Sequence, residues 1–126
     1  MALDATSTAM RDFLVHLQPN RVGAPSVPSA KVLLSTFAAK NAKIVRFAFA
    51  SGRDRGPYVN FFLTCRASDV AAVWRAVKRQ VFANPQLGRK LCRSCITTCE
   101  GTRSWDNYLL LQHFDEDVQL DRVPGV

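Results

Sequence analysis

The chain has 126 residues, of which 48% are hydrophobic and 21% are charged, and its 17 Lys and Arg against 10 Asp and Glu give a formal charge of +7. This length suffices for one domain with a hydrophobic core but not for two, and the apolar content excludes the class of disordered proteins. No apolar run approaches the ~18 residues that a membrane span requires. The first residues carry no basic segment leading into an apolar stretch, so we expect no secretory signal and a cytoplasmic location.

The charge is distributed unevenly along the chain. Residues 1–45 carry five basic and two acidic side chains, residues 46–103 carry eleven and three, and residues 104–126 carry one and five. The net charges of the three segments are therefore +3, +8 and −4. A basic middle followed by an acidic end bears on partners more than on the fold.

The N-terminal part, residues 1–28, is predicted to be a helix followed by a proline-rich linker. Apolar residues three and four positions apart favour a helix over residues 7–17. Three prolines and a glycine then make residues 18–28 a linker. A second helix is expected over about residues 29–40, with Ser29 at its start.

After the second helix, the hydrophobic period changes from helical to alternating. Residues 43–50 and 58–65 each alternate apolar with polar or smaller side chains, and the turn-rich segment 51–56 joins them. Two alternating runs around a short turn predict an antiparallel hairpin.

A third helix is predicted over residues 69–83, where Ser68 supplies the N-cap and apolar residues form one stripe. Two further strands, about residues 90–99 and 107–114, form a second hairpin. The acidic residues that follow are expected to be loosely held.

These elements predict an α+β protein in which a four-stranded antiparallel sheet, made of two hairpins bridged by a helix, has helices packed on one face. We expect residues 1–126 to form a single domain. Its parts are an N-terminal helix and linker (1–28), a core (29–114) and an acidic tail (115–126).

Three of the four cysteines, Cys92, Cys95 and Cys99, have a spacing that suggests a zinc or iron–sulfur site. On a strand over residues 90–99, however, Cys92 and Cys95 point to opposite faces, and Cys95 and Cys99 lie ~13 Å apart at ~3.3 Å per residue. One metal ion cannot bridge that distance, so we expect reduced structural thiols, no metal and no cofactor. Cys65 is the best candidate for a reactive thiolate, because it precedes a helix start, although it is also the last inward residue of an apolar strand.

Arginine accounts for 12 of the 17 basic residues and suits bidentate contacts with phosphate or carboxylate groups. The residues predicted to bind a partner lie on the outer face of the first hairpin, at its tip and on one face of the third helix: Arg46, Arg53, Arg55, Tyr58, Phe62, Arg75, Lys78 and Arg79. A solvated helix surface and a soluble turn would explain the same charges without a partner, and this alternative stays open.

Residues 55–61, Arg-Gly-Pro-Tyr-Val-Asn-Phe, resemble the aromatic strand motif of the RNA-recognition-motif family. Pro57 stands in place of the first aromatic residue, one position is missing, and no strand is predicted before the helix at residue 29. The resemblance implies that Tyr58 stacks on a base from the outer sheet face, beside Arg46 and Phe62. The alternative is that the first helix or a second copy of the chain covers the outer aromatic residues.

The sequence carries none of the glycine-rich phosphate loops or catalytic signatures that would indicate an enzyme, and its two histidines are far apart. We therefore expect a small non-enzymatic binding protein whose basic middle engages an acidic protein partner, as an inhibitor, an immunity protein or a phage or plasmid antagonist does. The first alternative is an RNA- or DNA-binding module with a basic and aromatic sheet face, and the second is a metal or thiol protein built on the three clustered cysteines. No membrane partner is expected, and a homodimer stays open.

Overall fold

The computed structural model of the protein describes residues 9–126. Within them, five strands form one sheet: β1 (Met10–Leu17), β2 (Arg46–Arg53), β3 (Pro57–Arg66), β4 (Cys95–Gly101) and β5 (Ser104–Gln112). The α-helices are α1 (Val27–Lys40), α2 (Val70–Val77) and α3 (Gly88–Cys92). A 3-10 turn (Ala67–Asp69) leads into α2, and a π-helical turn (Lys78–Phe82) continues it. No helix in this part of the chain has both the length and the hydropathy needed to cross a membrane.

The prediction of a helix over residues 7–17 is wrong for its described part, which is strand β1. Phe13, Val15 and Leu17 are fully buried, while the residues between them are only half-buried, so the burial pattern has a period of two. Leu14 is apolar although it faces the other side of the sheet, and this residue completes the apparent helical spacing. β1 pairs with β3 on one side and β4 on the other, which satisfies its main-chain groups without a helix. Residues 7 and 8 lie outside the described residues.

β1 also makes the predicted sheet five-stranded rather than four-stranded. The strand order is β2-β3-β1-β4-β5, and all neighbours are antiparallel. β1 and β2 therefore run parallel with β3 between them, which is the split βαβ arrangement of the ferredoxin-like β-α-β-β-α-β order. β5 extends that arrangement beyond β4. The α+β class, with an antiparallel sheet and helices, is confirmed.

The core lies between the helices and one face of the sheet. The ring of Phe13 on β1 stacks on Trp74 of α2 with 6.2 Å between centroids, and Phe61 on β3 stacks on Phe47 of β2 at 6.3 Å. Leu34 of α1 is fully buried in the same cluster. Each such side chain contributes about 1.5–3 kcal/mol on burial, so the helices are held to this face by apolar packing.

The second hairpin begins later than predicted, because residues 88–92 form α3 and β4 begins at Cys95. The Asn84 side chain accepts hydrogen bonds from the main-chain N–H groups of Gln86 (3.0 Å) and Leu87 (2.9 Å), which closes the turn before the helix. A Cβ atom at Gly88 would collide with the carbonyl oxygen of Phe82. Glycine therefore lets the chain turn back against α2 at this point.

The acidic tail is docked and not loosely held. Val123 is 4% exposed and belongs to the core cluster. The Asp121 N–H donates to the Leu110 carbonyl at 2.7 Å, and the Leu110 N–H donates to the Asp121 carboxylate at 2.8 Å. The tail therefore covers part of the outer edge of β5 and returns to the core.

Candidate functional site

The face of the sheet opposite the helices, which we call the open sheet face, carries an apolar row. Consecutive cross-strand partners run from Ala48 to Phe62, Leu14, Thr98 and Leu110, so the row crosses all five strands. Each of these side chains is half-buried. Apart from Thr98 the row offers no polar group, so its contacts with a ligand are apolar ones.

The eight residues predicted to bind a partner do not form one surface. Arg46, Tyr58 and Phe62 lie on the open sheet face. Arg53 and Arg55 lie at the tip of the β2–β3 hairpin. Arg75, Lys78 and Arg79 lie on the helical side of the molecule. Arg75 donates a hydrogen bond to the main-chain carbonyl of Gly125 in the tail. The basic middle of the sequence is thus divided between two sides of the sheet.

A cleft of about 490 Å³ lies where the β2–β3 hairpin tip meets the end of β1. We call it the arginine cleft, because Arg21, Arg55 and Arg93 line it and are exposed. Among the described residues of the lining, Asp54 is the one carboxylate. The single ion pair among residues 9–126 joins Lys43 to Asp69 elsewhere, so the three guanidinium groups are not neutralised by a bridging carboxylate in that part of the chain. A site of this charge suits an anionic group with several oxygens.

Local structure positions two of these arginines, Arg55 and Arg21, at the cleft. Arg55 has a φ of 58° and is followed by Gly56 with a φ of 138°, and the Asp54 N–H donates to the Gly56 carbonyl at 2.9 Å. Left-handed backbone is uncommon for arginine, and strain of this kind clusters at functional sites. The Arg21 guanidinium lies 3.5 Å above the centre of the Phe114 ring, which holds it in place.

An aromatic pair forms the wall of the cleft on the open sheet face. The rings of Tyr58 and His16 lie 5.2 Å apart between centroids, and the hydroxyl end of Tyr58 lies over Gly52 of β2, where a Cβ atom would collide with it. The His16 Nδ1 lies 2.8 Å from the Asn60 side-chain oxygen, and its Nε2 lies 3.3 Å from the Gln18 side-chain nitrogen. A neutral imidazole with its proton on Nδ1 satisfies both bonds. These contacts fix the pair on the sheet surface.

The cysteines lie apart from this cleft. Cys92 ends α3 and does not lie on a strand, so the premise that Cys92 and Cys95 point to opposite faces of one strand is wrong. Cys95 and Cys99 do share the buried face of β4, as predicted. Among residues 9–126 no three His, Cys, Asp or Glu side chains stand close enough together to hold a metal ion.

The buried thiols are held in their protonated form. Burial, together with the nearby carboxylates of Asp69 and Asp12, raises the pKa of Cys65 to about 12. Burial also raises the pKa values of Cys95 and Cys99 to about 12. The pKa of Cys92 is raised by burial as well. At neutral pH Cys65 is therefore a thiol and not the nucleophilic thiolate that its place before a helix suggested.

Of the three arginines and two rings that give the cleft its chemistry, the sequence prediction included Arg55 and Tyr58 and missed His16, Arg21 and Arg93. His16 was assigned to a helix, and its place on the open sheet face follows only from the pairing of β1 with β3. β1 is the first strand that the RNA-recognition-motif resemblance lacked, and it lies directly beside the motif strand. Its outward residues are Met10, Asp12, Leu14 and His16, so it carries no aromatic motif of its own.

No protein-family model matches the chain, and no curated protein sequence matches it. Among solved structures, the chain is similar to a DUF3240 family protein from Shewanella baltica OS155, with a TM-score of 0.48 and 13% sequence identity. The match covers 76% of this chain and 92% of that one. What the protein binds must therefore be inferred from the arginine cleft and the open sheet face.

Proposed function

We propose that the protein is a non-enzymatic binding module that holds a single-stranded nucleic acid at the arginine cleft and the adjoining open sheet face. The observation that supports this proposal is the juxtaposition of a fixed Tyr58–His16 ring pair with three guanidinium groups in one cleft. Guanidinium groups bind phosphate oxygens bidentately, and base stacking on an aromatic side chain contributes ~1–3 kcal/mol.

A single strand fits this arrangement better than a duplex. The bases of a duplex are stacked on one another, so their faces are not accessible to Tyr58, whereas the bases of a single strand are free to stack on side chains. The apolar row through Phe62 and Leu14 continues the surface away from the cleft. Bases can extend over this row while the backbone phosphates stay near the arginines.

The chemistry of the cleft supports binding in preference to catalysis. Both ring nitrogens of His16 already have hydrogen-bonding partners in Asn60 and Gln18, so the imidazole is not free to act as a general base. The four cysteines, whose pKa values are raised, do not line the cleft.

The proposal is tested by fluorescence anisotropy with a labelled single-stranded octanucleotide at low salt. We expect Tyr58→Ala and Arg55→Gln each to weaken binding by about five-fold or more, since each removes a stacking or a charged contact. The matched control is Arg103→Gln, which removes the same charge from the exposed tip of the β4–β5 hairpin at the opposite end of the sheet. Absence of binding by the wild-type protein, or equal losses in Arg55→Gln and Arg103→Gln, would contradict the proposal.

The helical side supports a second candidate function, the binding of an acidic protein. Arg75, Lys78 and Arg79 are exposed there, away from the Tyr58 platform, and the adjacent Trp74 is only 6% exposed and so offers little surface for stacking. A charged surface without an exposed aromatic ring suits an acidic protein surface. A protein that the nuclease-treated wild type captures, and that Arg75→Gln/Lys78→Gln/Arg79→Gln fails to capture, would support this function. Retention of that protein by the triple variant would contradict it.

A further inference from the structure

We infer that the bound strand continues from the arginine cleft past Arg93 into a second anion-binding cleft at α3, so that the ligand is a strand of several nucleotides and not a mono- or dinucleotide. This inference rests on the proposed function and specifies its ligand. It starts from a cleft of about 770 Å³ that lies between the end of the π-helical turn, the turn at Asn84 and α3.

The second cleft, which we call the α3 cleft, shares a lining residue with the first. Arg93 follows α3 directly and lines both clefts. Arg89 and Lys90, one turn earlier, line the α3 cleft and are exposed. A chain of phosphates can therefore pass from Arg55 and Arg21 to Arg93 and on to α3 without leaving a basic surface.

The charge of this region has one sign. Residues 70–99 contain no Asp or Glu, and three of their six basic residues, Arg89, Lys90 and Arg93, line the α3 cleft. The arginine cleft includes Asp54, whereas none of the described residues that line the α3 cleft is a carboxylate. A surface of this kind attracts a polyanion, and each neutralised phosphate releases counterions from a nucleic acid strand.

The α3 cleft is built to contact phosphates and not bases. Phe82 is its one aromatic residue, and its ring packs edge-on against Trp74 with 6.1 Å between centroids. Phe82 is half-buried by this contact. The α3 cleft is therefore expected to add affinity and salt dependence without adding preference for a base.

The test measures dissociation constants for oligothymidylates of increasing length, from a dinucleotide to a dodecanucleotide. We expect affinity to rise at least ten-fold between the dinucleotide and the longer strands. Arg89→Gln/Lys90→Gln should weaken binding of the dodecanucleotide by about ten-fold and leave the dinucleotide unchanged. The same variant should reduce the slope of log affinity against log salt by about 1.4, since each phosphate contact on a single strand contributes about 0.7.

The matched control is Lys40→Gln/Arg103→Gln, which removes two charges from the exposed end of α1 and the β4–β5 tip. All four side chains are exposed, and unchanged thermal unfolding verifies that both variants are folded. Equal affinity for the dinucleotide and the dodecanucleotide, or equal losses in the two double variants, would overturn the inference and leave the proposed function intact. Failure of every strand to bind would overturn both the inference and the proposed function. Equally tight binding of poly-glutamate would also overturn both, because it would indicate an acidic protein as the ligand.

Discussion

At the scale of single residues, Gly52 determines how Tyr58 lies on the sheet. The two residues are cross-strand partners, and the absence of a side chain at position 52 leaves the space that the phenol ring occupies. Because the ring lies over the glycine, it stays beside His16 at the margin of the arginine cleft. A glycine with ordinary strand backbone thus has a steric role.

We predict that Gly52→Ala weakens binding of a single-stranded oligonucleotide by most of the stacking contribution, about 1–3 kcal/mol. The added methyl group displaces the Tyr58 ring, while the fold is retained because the end of a tyrosine side chain can rotate away. Isothermal titration of Gly52→Ala, Tyr58→Ala and the double variant measures the effect. Additive losses, or wild-type affinity in Gly52→Ala, would show that the ring position is irrelevant to binding.

The buried thiols predict how stability depends on alkaline pH. The pKa values of Cys65, Cys95 and Cys99 are about 12 in the folded protein, against an ordinary value of 9.0. Between pH 9 and 12 the unfolded chain therefore loses protons that the folded chain keeps, so the free energy of unfolding falls as pH rises. The slope is up to about 1.4 kcal/mol per pH unit for each thiol.

Urea unfolding at a series of pH values measures this slope, and Cys65→Ala should show a smaller decline above pH 9 than the wild type. The comparison cancels the titration of lysines and tyrosines, which both proteins share. Identical slopes in the two proteins, or rapid alkylation of Cys65 in the folded protein at pH 8, would contradict the raised pKa.

At the scale of elements, the tail contributes to the core through one side chain. Val123 is 4% exposed, whereas the nearby Leu120 is 46% exposed. Val123→Ala should lower the free energy of unfolding by about 1–2 kcal/mol, because it removes two buried carbon groups at about 0.8 kcal/mol each. Leu120→Ala is the matched control and should change it by less than about 0.5 kcal/mol. Chemical denaturation that ranks the two variants equally would show that the tail is not docked.

The elements that the sequence predicted well are those that local signals define. The β2–β3 hairpin follows from two alternating runs around a glycine-containing turn, and the helix after it follows from one apolar stripe. β1 could not be recognised in this way, because Leu14 faces the open side of the sheet and is still apolar. A short apolar run of this kind fits a helix and a central strand equally well.

The arginine cleft depends on the element that the sequence could not define. His16 and Arg21 reach the cleft only because β1 lies beside β3, and Arg93 reaches it because β4 pairs with β1. These contacts join positions more than 30 residues apart, so no local pattern reveals them. Tyr58 and Arg55, in contrast, stand within one motif and were predicted from it.

At the scale of the whole molecule, the basic residues of the chain lie on both sides of the sheet. The basic middle supplies Arg55 and Arg93 of the arginine cleft and the basic residues of the helical side. The acidic tail continues from Phe114, whose ring contacts Arg21. Asp115, Glu116 and Asp117 are exposed and follow that ring in the sequence. They therefore lower the positive potential at this end of the cleft.

We predict that Asp115→Asn/Glu116→Gln/Asp117→Asn strengthens oligonucleotide binding by about two- to five-fold at low salt, because it removes repulsion of the phosphates. The gain should disappear at about 0.5 M salt, where exposed charges are screened. Anisotropy titrations at both salt concentrations provide the measurement. Unchanged affinity at low salt would show that the tail carboxylates lie too far from the bound strand to affect it.

The salt dependence of single-strand binding, measured for the wild type, Arg55→Gln and Arg103→Gln, shows whether the arginine cleft holds the phosphates of a nucleic acid. If three guanidinium groups of the arginine cleft contact phosphates, the slope of log affinity against log salt is about −2 or steeper, at about 0.7 per contact. Arg55→Gln should reduce the magnitude of this slope by about 0.7, and Arg103→Gln should leave it unchanged. Absence of single-strand binding at low salt, or the same slope in all three proteins, would show that the arginine cleft does not hold a nucleic acid.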